Sequence, residues 1–123
     1  MYIEDDLDDI DLFTDVLKSI NKNISLLTYC DSQEALDFLL HTPVLPDYLF
    51  LDINMPGMNG RDALRYIKVN QRLEDLPVIM YSTARSSAEV AGIYADGALR
   101  YIQKANSMQD METDIVGVLY RKA

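Results

Sequence analysis

Leu49-Phe50-Leu51-Asp52-Ile53-Asn54-Met55-Pro56-Gly57-Met58-Asn59-Gly60 is the stretch on which the fold turns. The apolar run from Tyr48 to Leu51 has the pattern of a strand buried on both faces of a parallel sheet. Pro56, Gly57 and Gly60 then require a loop, and a helix is predicted from Arg61 to about Asn70. Asp52 therefore falls where the strand ends and the loop begins. In an open parallel sheet, that rim is where ligands bind.

The same unit recurs on either side. Met1 to Ile3 reads as the end of a strand whose start is expected before Met1. From Leu7 to Ile20 the apolar residues Leu7, Ile10, Phe13, Val16, Leu17 and Ile20 trace one helical face. Asn21 to Asn23 is a turn, and Ile24 to Cys30 reads as a second strand. Asp31, three residues before Glu34, resembles a capping box opening a helix through Leu40. Pro43 and Pro46 bracket a loop. Beyond the central stretch, Pro77 introduces a strand at Val78 to Tyr81, and a helix at Ser86 to Tyr94 is ended by Gly97. Leu99 to Gln103 forms a fifth strand and Ser107 to Tyr120 a last amphipathic helix. Five strand–helix repeats imply an α/β fold with a doubly wound parallel sheet and helices on both faces. No repeat or linker divides residues 1–123, which read as one domain.

Composition narrows the function. The chain has 123 residues, 49% of them apolar, with a net charge of -9 and a pI near 4.3. An acidic domain of this kind is not expected to grip nucleic acid, because counterion-release binding needs a basic face. No run is long and apolar enough for a membrane span, and no signal-peptide pattern opens the chain. The single Cys30 has no intramolecular partner and is expected to be a small core residue. A reducing cytoplasm is the expected compartment. His41 lacks the companions of a metal or catalytic site and is expected at the surface. Met55 and Met58 are expected to pack within their loop.

The residues with chemistry gather at strand ends: Glu4-Asp5-Asp6, Asp52, Ser82-Thr83 and Lys104. Carboxylates crowded together raise one another's pKa and call for a cation. Hard oxygen ligands with room for water suit Mg²⁺. A carboxylate beside such an ion can act as a nucleophile toward phosphorus, with a lysine and a hydroxyl holding the phosphoryl oxygens. Blander readings compete. Asp8, Asp9 and Asp11 suit a solvated helix N-terminus. Ser82 and Thr83 could cap a turn, Lys104 could be an ordinary surface lysine, and Tyr101 could be a half-buried packing residue. An EF-hand loop is excluded, since the spacing lacks the glycine and closing glutamate.

Four segments together resemble the response-regulator receiver family, in order and at the family's spacings. They are Ile3-Glu4-Asp5-Asp6, the run Leu49 to Gly60, Pro77-Val78-Ile79-Met80-Tyr81-Ser82-Thr83-Ala84, and Gly97-Ala98-Leu99-Arg100-Tyr101-Ile102-Gln103-Lys104. The resemblance implies a flavodoxin-like fold with strand order 2-1-3-4-5. It implies that Asp52 accepts a phosphoryl group from a sensor histidine kinase or a histidine phosphotransfer protein. Mg²⁺ would be held by Asp5 and Asp52, by Glu4 through water, and by the backbone carbonyl of Asn54. Lys104 would pair with the phosphate, and the Thr83 amide would contact it. Ser82 would supply the hydroxyl that moves toward it, with Tyr101 as the aromatic that follows. The Asn54 side chain and Ala84 would tune dephosphorylation. The face formed by Ala88 to Tyr94, Leu99 to Gln103 and Ser107 to Tyr120 would contact a second copy or an effector protein.

One position departs from the family. Proline usually follows the lysine, often after a cis bond, and here the residue is Ala105. A cis bond before alanine costs about 2.5–4 kcal/mol, so either a trans bond with an altered loop or a strained exception is expected. A signalling phosphoacceptor rather than a metabolic enzyme is the leading expectation. Its rivals are a phosphorylation-independent scaffold, which Ala105 favours, and an aspartate-dependent phosphatase of the haloacid-dehalogenase type. The latter wants a second aspartate where Asn54 stands. A flavodoxin is rejected for want of a Ser/Thr/Gly-rich phosphate loop after the first strand.

Overall fold

The computed structural model describes residues 1–83, 85–105 and 107–120. The chain alternates β1 (Tyr2–Ile3), α1 (Leu7–Ile20), β2 (Thr28–Tyr29), α2 (Ser32–His41), β3 (Leu49–Leu51), α3 (Gly60–Val69), β4 (Val78–Ser82), α4 (Ser87–Ala95), β5 (Arg100–Gln103) and α5 (Met108–Leu119). The strands form one sheet in the order β2-β1-β3-β4-β5, with every pairing parallel. This is the doubly wound, flavodoxin-like order that the alternation and the resemblance led us to expect.

Strand register sorts the side chains onto two layers, because successive residues point to opposite faces. Ile3, Leu49, Leu51, Val78 and Met80 face a core shared with Leu36 and Leu39 of α2, Leu64 and Ile67 of α3 and Ile93 of α4. Tyr2, Phe50, Ile79, Tyr81 and Ile102 face Phe13 and Val16 of α1 and Ile115 and Val118 of α5. Aromatic rings dominate this second layer. Tyr2 lies 4.3 Å from Phe13, and Phe13 lies 5.1 Å from Phe50 in an edge contact.

Helix starts follow the capping residues. Asp6, Asp31, Asn59, Ser86 and Ser107 are the N-caps, each accepting a backbone N–H from the first turn. Asp31 accepts from Gln33 and Glu34, as the sequence pattern suggested. The sharpest constraint lies between β3 and α3. A methyl group at position 60 would collide with the Asp52 carbonyl oxygen, so only glycine lets α3 start this close to the strand. Gly57, at φ +75, turns the same loop.

Two expectations fail at the sheet edge. The second strand was expected over Ile24 to Cys30 but pairs only at Thr28–Tyr29. It is an edge strand that pairs with β1 alone, Tyr2 with Thr28 and Ile3 with Tyr29. Ile24 and Leu26 pack instead against the α1–α5 layer. Cys30, expected in the core, is exposed, because it lies just past the last paired residue of that edge. His41 is exposed, as expected.

Helix α4 is thinly anchored. Ile93 is its only buried residue, and much of its attachment is ionic. Arg61 reaches Asp96 at 2.8 Å and Arg65 reaches it at 3.1 Å, joining α3 to the α4 C-cap. The Arg61 hydrogen bond, together with the charges of both arginines, holds the Asp96 carboxyl below its ordinary pKa. A lowered carboxylate contributes stability above its unfolded pKa and loses it as pH falls. Asp96→Asn is expected to cost about 1 kcal/mol in denaturant unfolding at pH 7. That difference from wild type should shrink as pH falls below about 4.

Candidate functional site

Backbone hydrogen bonds continue the sheet past its strand ends and so fix the rim. The Asp52 amide donates to the Ile3 carbonyl at 3.1 Å, and the Glu4 amide to the Tyr29 carbonyl at 3.0 Å. The Lys104 amide donates to the Ser82 carbonyl at 2.7 Å. Residues separated by up to 100 positions are thereby set side by side. Glu4 and Asp52 are buried, at 2% and 4% exposure, while Asp5 is exposed at the mouth. One carboxylate oxygen from each of Glu4, Asp5 and Asp52 lies within 4.8 Å of the others. Asp6 is drawn away from this group: its side chain caps α1, accepting from the amides of Asp8 and Asp9.

Lys104 supplies the positive charge. Its Nζ lies 2.8 Å from Asp9, 3.1 Å from Glu4 and 3.9 Å from Asp52. Burial works against the ammonium, but Asp9, Asp52 and Glu4 outweigh it and raise the lysine pKa above its ordinary value. Glu4 shows the opposite balance. Burial and the adjacent Asp52 push its carboxyl well above the ordinary glutamate range, and Lys104 only partly offsets them. The Tyr2 hydroxyl also donates to Glu4, at 3.5 Å. Three carboxylates thus face one ammonium, and a fourth, Asp5, adjoins Glu4 and Asp52. This surplus of hard oxygen donors fits a divalent cation, and Glu4, Asp5 and Asp52 are the residues that could hold it.

The other expected residues ring this cluster. Ser82 is fully buried, and its Oγ has no hydrogen-bond partner among the described residues. Thr83 and Asn54 are exposed. The Tyr101 hydroxyl donates to the Thr83 carbonyl at 2.8 Å, and its ring is half-buried against the α2–α4 layer. This ties β5 to the segment leaving β4. Ala84 lies outside the described residues. All peptide bonds among the described residues are trans, so of the two possibilities for Ala105 the trans one holds. Lys104 nonetheless faces the carboxylates.

Sequence reasoning gave Asp9 to a solvated helix N-terminus, whereas it pairs with Lys104, and it did not single out Tyr2. Asp9 sits one helical turn beyond Asp5, a spacing that puts both at the same end of α1. That was the available signal. Tyr2 gave none, since strand aromatics are most often packing residues.

Residues 1–116 match the family described as the response regulator receiver domain. Response regulator Rcp1 of Synechocystis sp. is 27% identical, across 96% of this chain and 84% of that protein. Chemotaxis protein CheY of Pseudomonas aeruginosa is 28% identical, across 91% and 94%. The phosphorylated cyanobacterial phytochrome response regulator RcpA superposes with a TM-score of 0.87 at 25% identity, covering 99% of this chain and 94% of that one. The Mn²⁺-bound form of Rcp1 superposes with a TM-score of 0.83 at 25% identity, covering 99% and 93%. A rim of strand-end carboxylates and lysine on this sheet, and a family match spanning nearly the whole chain, agree: the chain belongs to the response regulator receiver domains of two-component signalling.

Proposed function

We propose that this receiver accepts a phosphoryl group on Asp52 from a phosphohistidine of a sensor kinase or a histidine phosphotransfer protein. The observation that carries the proposal is a buried Asp52 grouped with Glu4 and Asp5, with the Lys104 ammonium 3.9 Å from its carboxylate. An Asp52 carboxylate oxygen attacks phosphorus and forms the acyl phosphate. The phosphorus–nitrogen bond breaks, and the imidazole leaves with the electron pair and takes up a proton. Glu4, Asp5, Asp52 and the Asn54 carbonyl would hold Mg²⁺, which supplies charge neutralisation and orientation when bound. Lys104 and the Thr83 amide hold the phosphoryl oxygens. The reaction is stoichiometric, so the protein is a phosphoacceptor and not a turnover enzyme.

Signalling follows from the orphaned hydroxyl of Ser82. A buried hydroxyl without a partner carries a desolvation cost, and a phosphoryl oxygen on Asp52 would relieve it. Movement of Ser82 drags Thr83, whose carbonyl is tied to Tyr101, and so reaches β5. The thin anchoring of α4 makes the α4–β5–α5 face the part that responds. An effector protein or a second copy is the expected reader of that face, with the cytoplasm as the setting and residues 1–123 as one domain. The position of Lys104 favours this over a phosphorylation-independent scaffold, and Asn54 disfavours a phosphatase.

Incubation with acetyl phosphate and Mg²⁺, followed by intact mass, tests the chemistry. One phosphoryl adduct is expected in the wild type and none in Asp52→Asn or without the metal. Wild-type protein that is folded but takes no adduct would leave the scaffold as the surviving reading. A second test concerns Ser82. Ser82→Ala should unfold at the same denaturant concentration as the wild type or be more stable by up to about 1 kcal/mol. It should still be labelled, but without the phosphorylation-dependent change in the α4–β5–α5 amide spectrum. A clear loss of stability would instead make the hydroxyl a structural element.

A further inference from the structure

Lys104 is held most closely by Asp9, a residue outside the carboxylate group that could take a metal. Asp9 Oδ2 lies 2.8 Å from Nζ and Glu4 Oε2 lies 3.1 Å away, both within hydrogen-bond reach. Asp52 Oδ1, at 3.9 Å, is beyond it. Of the three ammonium protons, two are therefore directed toward Asp9 and Glu4. Asp9 stands in the first turn of α1, held there by the Asp6 cap. Its side chain does no capping of its own.

We infer that Asp9 is a positioning residue that holds Lys104 back from Asp52 while the site is unphosphorylated. The inference rests on Asp52 being the phosphoacceptor. For Lys104 to reach a phosphoryl oxygen there, its bond to Asp9 must loosen, so Asp9 and the incoming phosphoryl group compete for one ammonium. The Asp9 side chain is 37% exposed, and an ion pair open to solvent is weak. Asp9 is thus a light restraint that a phosphoryl group can break. It acts on the rate of phosphorylation and on the balance between the two states, and the fold does not depend on it. The same bond gives Lys104 a fixed partner in a loop where Ala105 stands in place of the family's usual proline.

The test compares three proteins: wild type, Asp9→Asn and Asp8→Asn. Asp8 lies in the same turn and carries the same charge, but makes no ion pair with Lys104. Asp8→Asn therefore reproduces the change in net charge felt by an anionic donor without touching the lysine. With acetyl phosphate and Mg²⁺, Asp9→Asn should be phosphorylated about two- to fivefold faster than Asp8→Asn, the factor that a partly exposed ion pair is worth. A second readout follows the lysine itself, through the ¹⁵N–¹H signal of the Lys104 ammonium. That signal should shift and exchange faster with water in Asp9→Asn and stay at its wild-type position in Asp8→Asn. Labelling of the wild type together with equal rates in the two variants, or an unmoved lysine signal, would overturn the positioning role alone. A folded wild type that takes no label would overturn the receiver reading, and the positioning role with it.

Discussion

The rim of this sheet depends on the ammonium of Lys104 lying among carboxylates that the fold has buried. Glu4 and Asp52 are nearly sealed from water, and an isolated buried charge is costly unless it is paired or neutralised. Lys104 offsets part of that cost and the raised pKa of Glu4 another part. The remaining negative charge is what a divalent cation or a transferred phosphoryl group would answer. The pairing also connects β1, β3 and β5, strands that are not all neighbours in the sheet.

The geometry behind this pairing is set by backbone, which is why it could be foreseen. Apolar runs ending at Ile3, Leu51 and Tyr81 become strands, and parallel pairing puts their ends level. Hydrogen bonds from the Asp52 amide to the Ile3 carbonyl and from the Lys104 amide to the Ser82 carbonyl then carry the register one residue further. Gly60 completes it, since any side chain there would push the α3 start away from the Asp52 carbonyl. Asp52 was legible as a candidate site from its place at a strand end and from the resemblance carried by Met55-Pro56-Gly57-Met58-Asn59-Gly60, whereas the close approach of Gly60 to its carbonyl became visible only in the structure.

What was not legible depends on partners that lie far away in the chain. Asp9 reads as one more acidic residue at a helix N-terminus until the strand carrying Lys104 is laid beside α1. Residues Ile24 to Cys30 have the composition of a full strand. Only Thr28 and Tyr29 pair, and Ile24 and Leu26 are drawn into the α1–α5 layer by contacts that residues 24–30 alone do not report. Cys30 follows from the same fact: a small apolar residue suits a core, but here the paired edge stops before it. Helix ends were misplaced by about one residue wherever the capping residue was counted as the first helical one, as at Ser86 and Ser107.

The carboxylate rim and helix α4 differ in how they are held. The rim rests on buried strands and close backbone contacts. Helix α4 is fastened by Ile93, by the hydrogen bond from the Tyr101 amide to the Tyr94 hydroxyl and by the ionic link from Asp96 to Arg61 and Arg65. A rigid site beside a loosely held helix is the arrangement in which a local change of charge can shift a population of conformers.

A crystal structure of the protein with Mg²⁺ and beryllofluoride, a stable mimic of the acyl phosphate, tests the central claim most directly. The account predicts the ion on Glu4, Asp5 and Asp52, the beryllofluoride on Asp52, and Lys104 Nζ turned from Asp9 onto a fluoride. Beryllofluoride bound elsewhere, or Lys104 still paired with Asp9 while Asp52 carries the mimic, would contradict it.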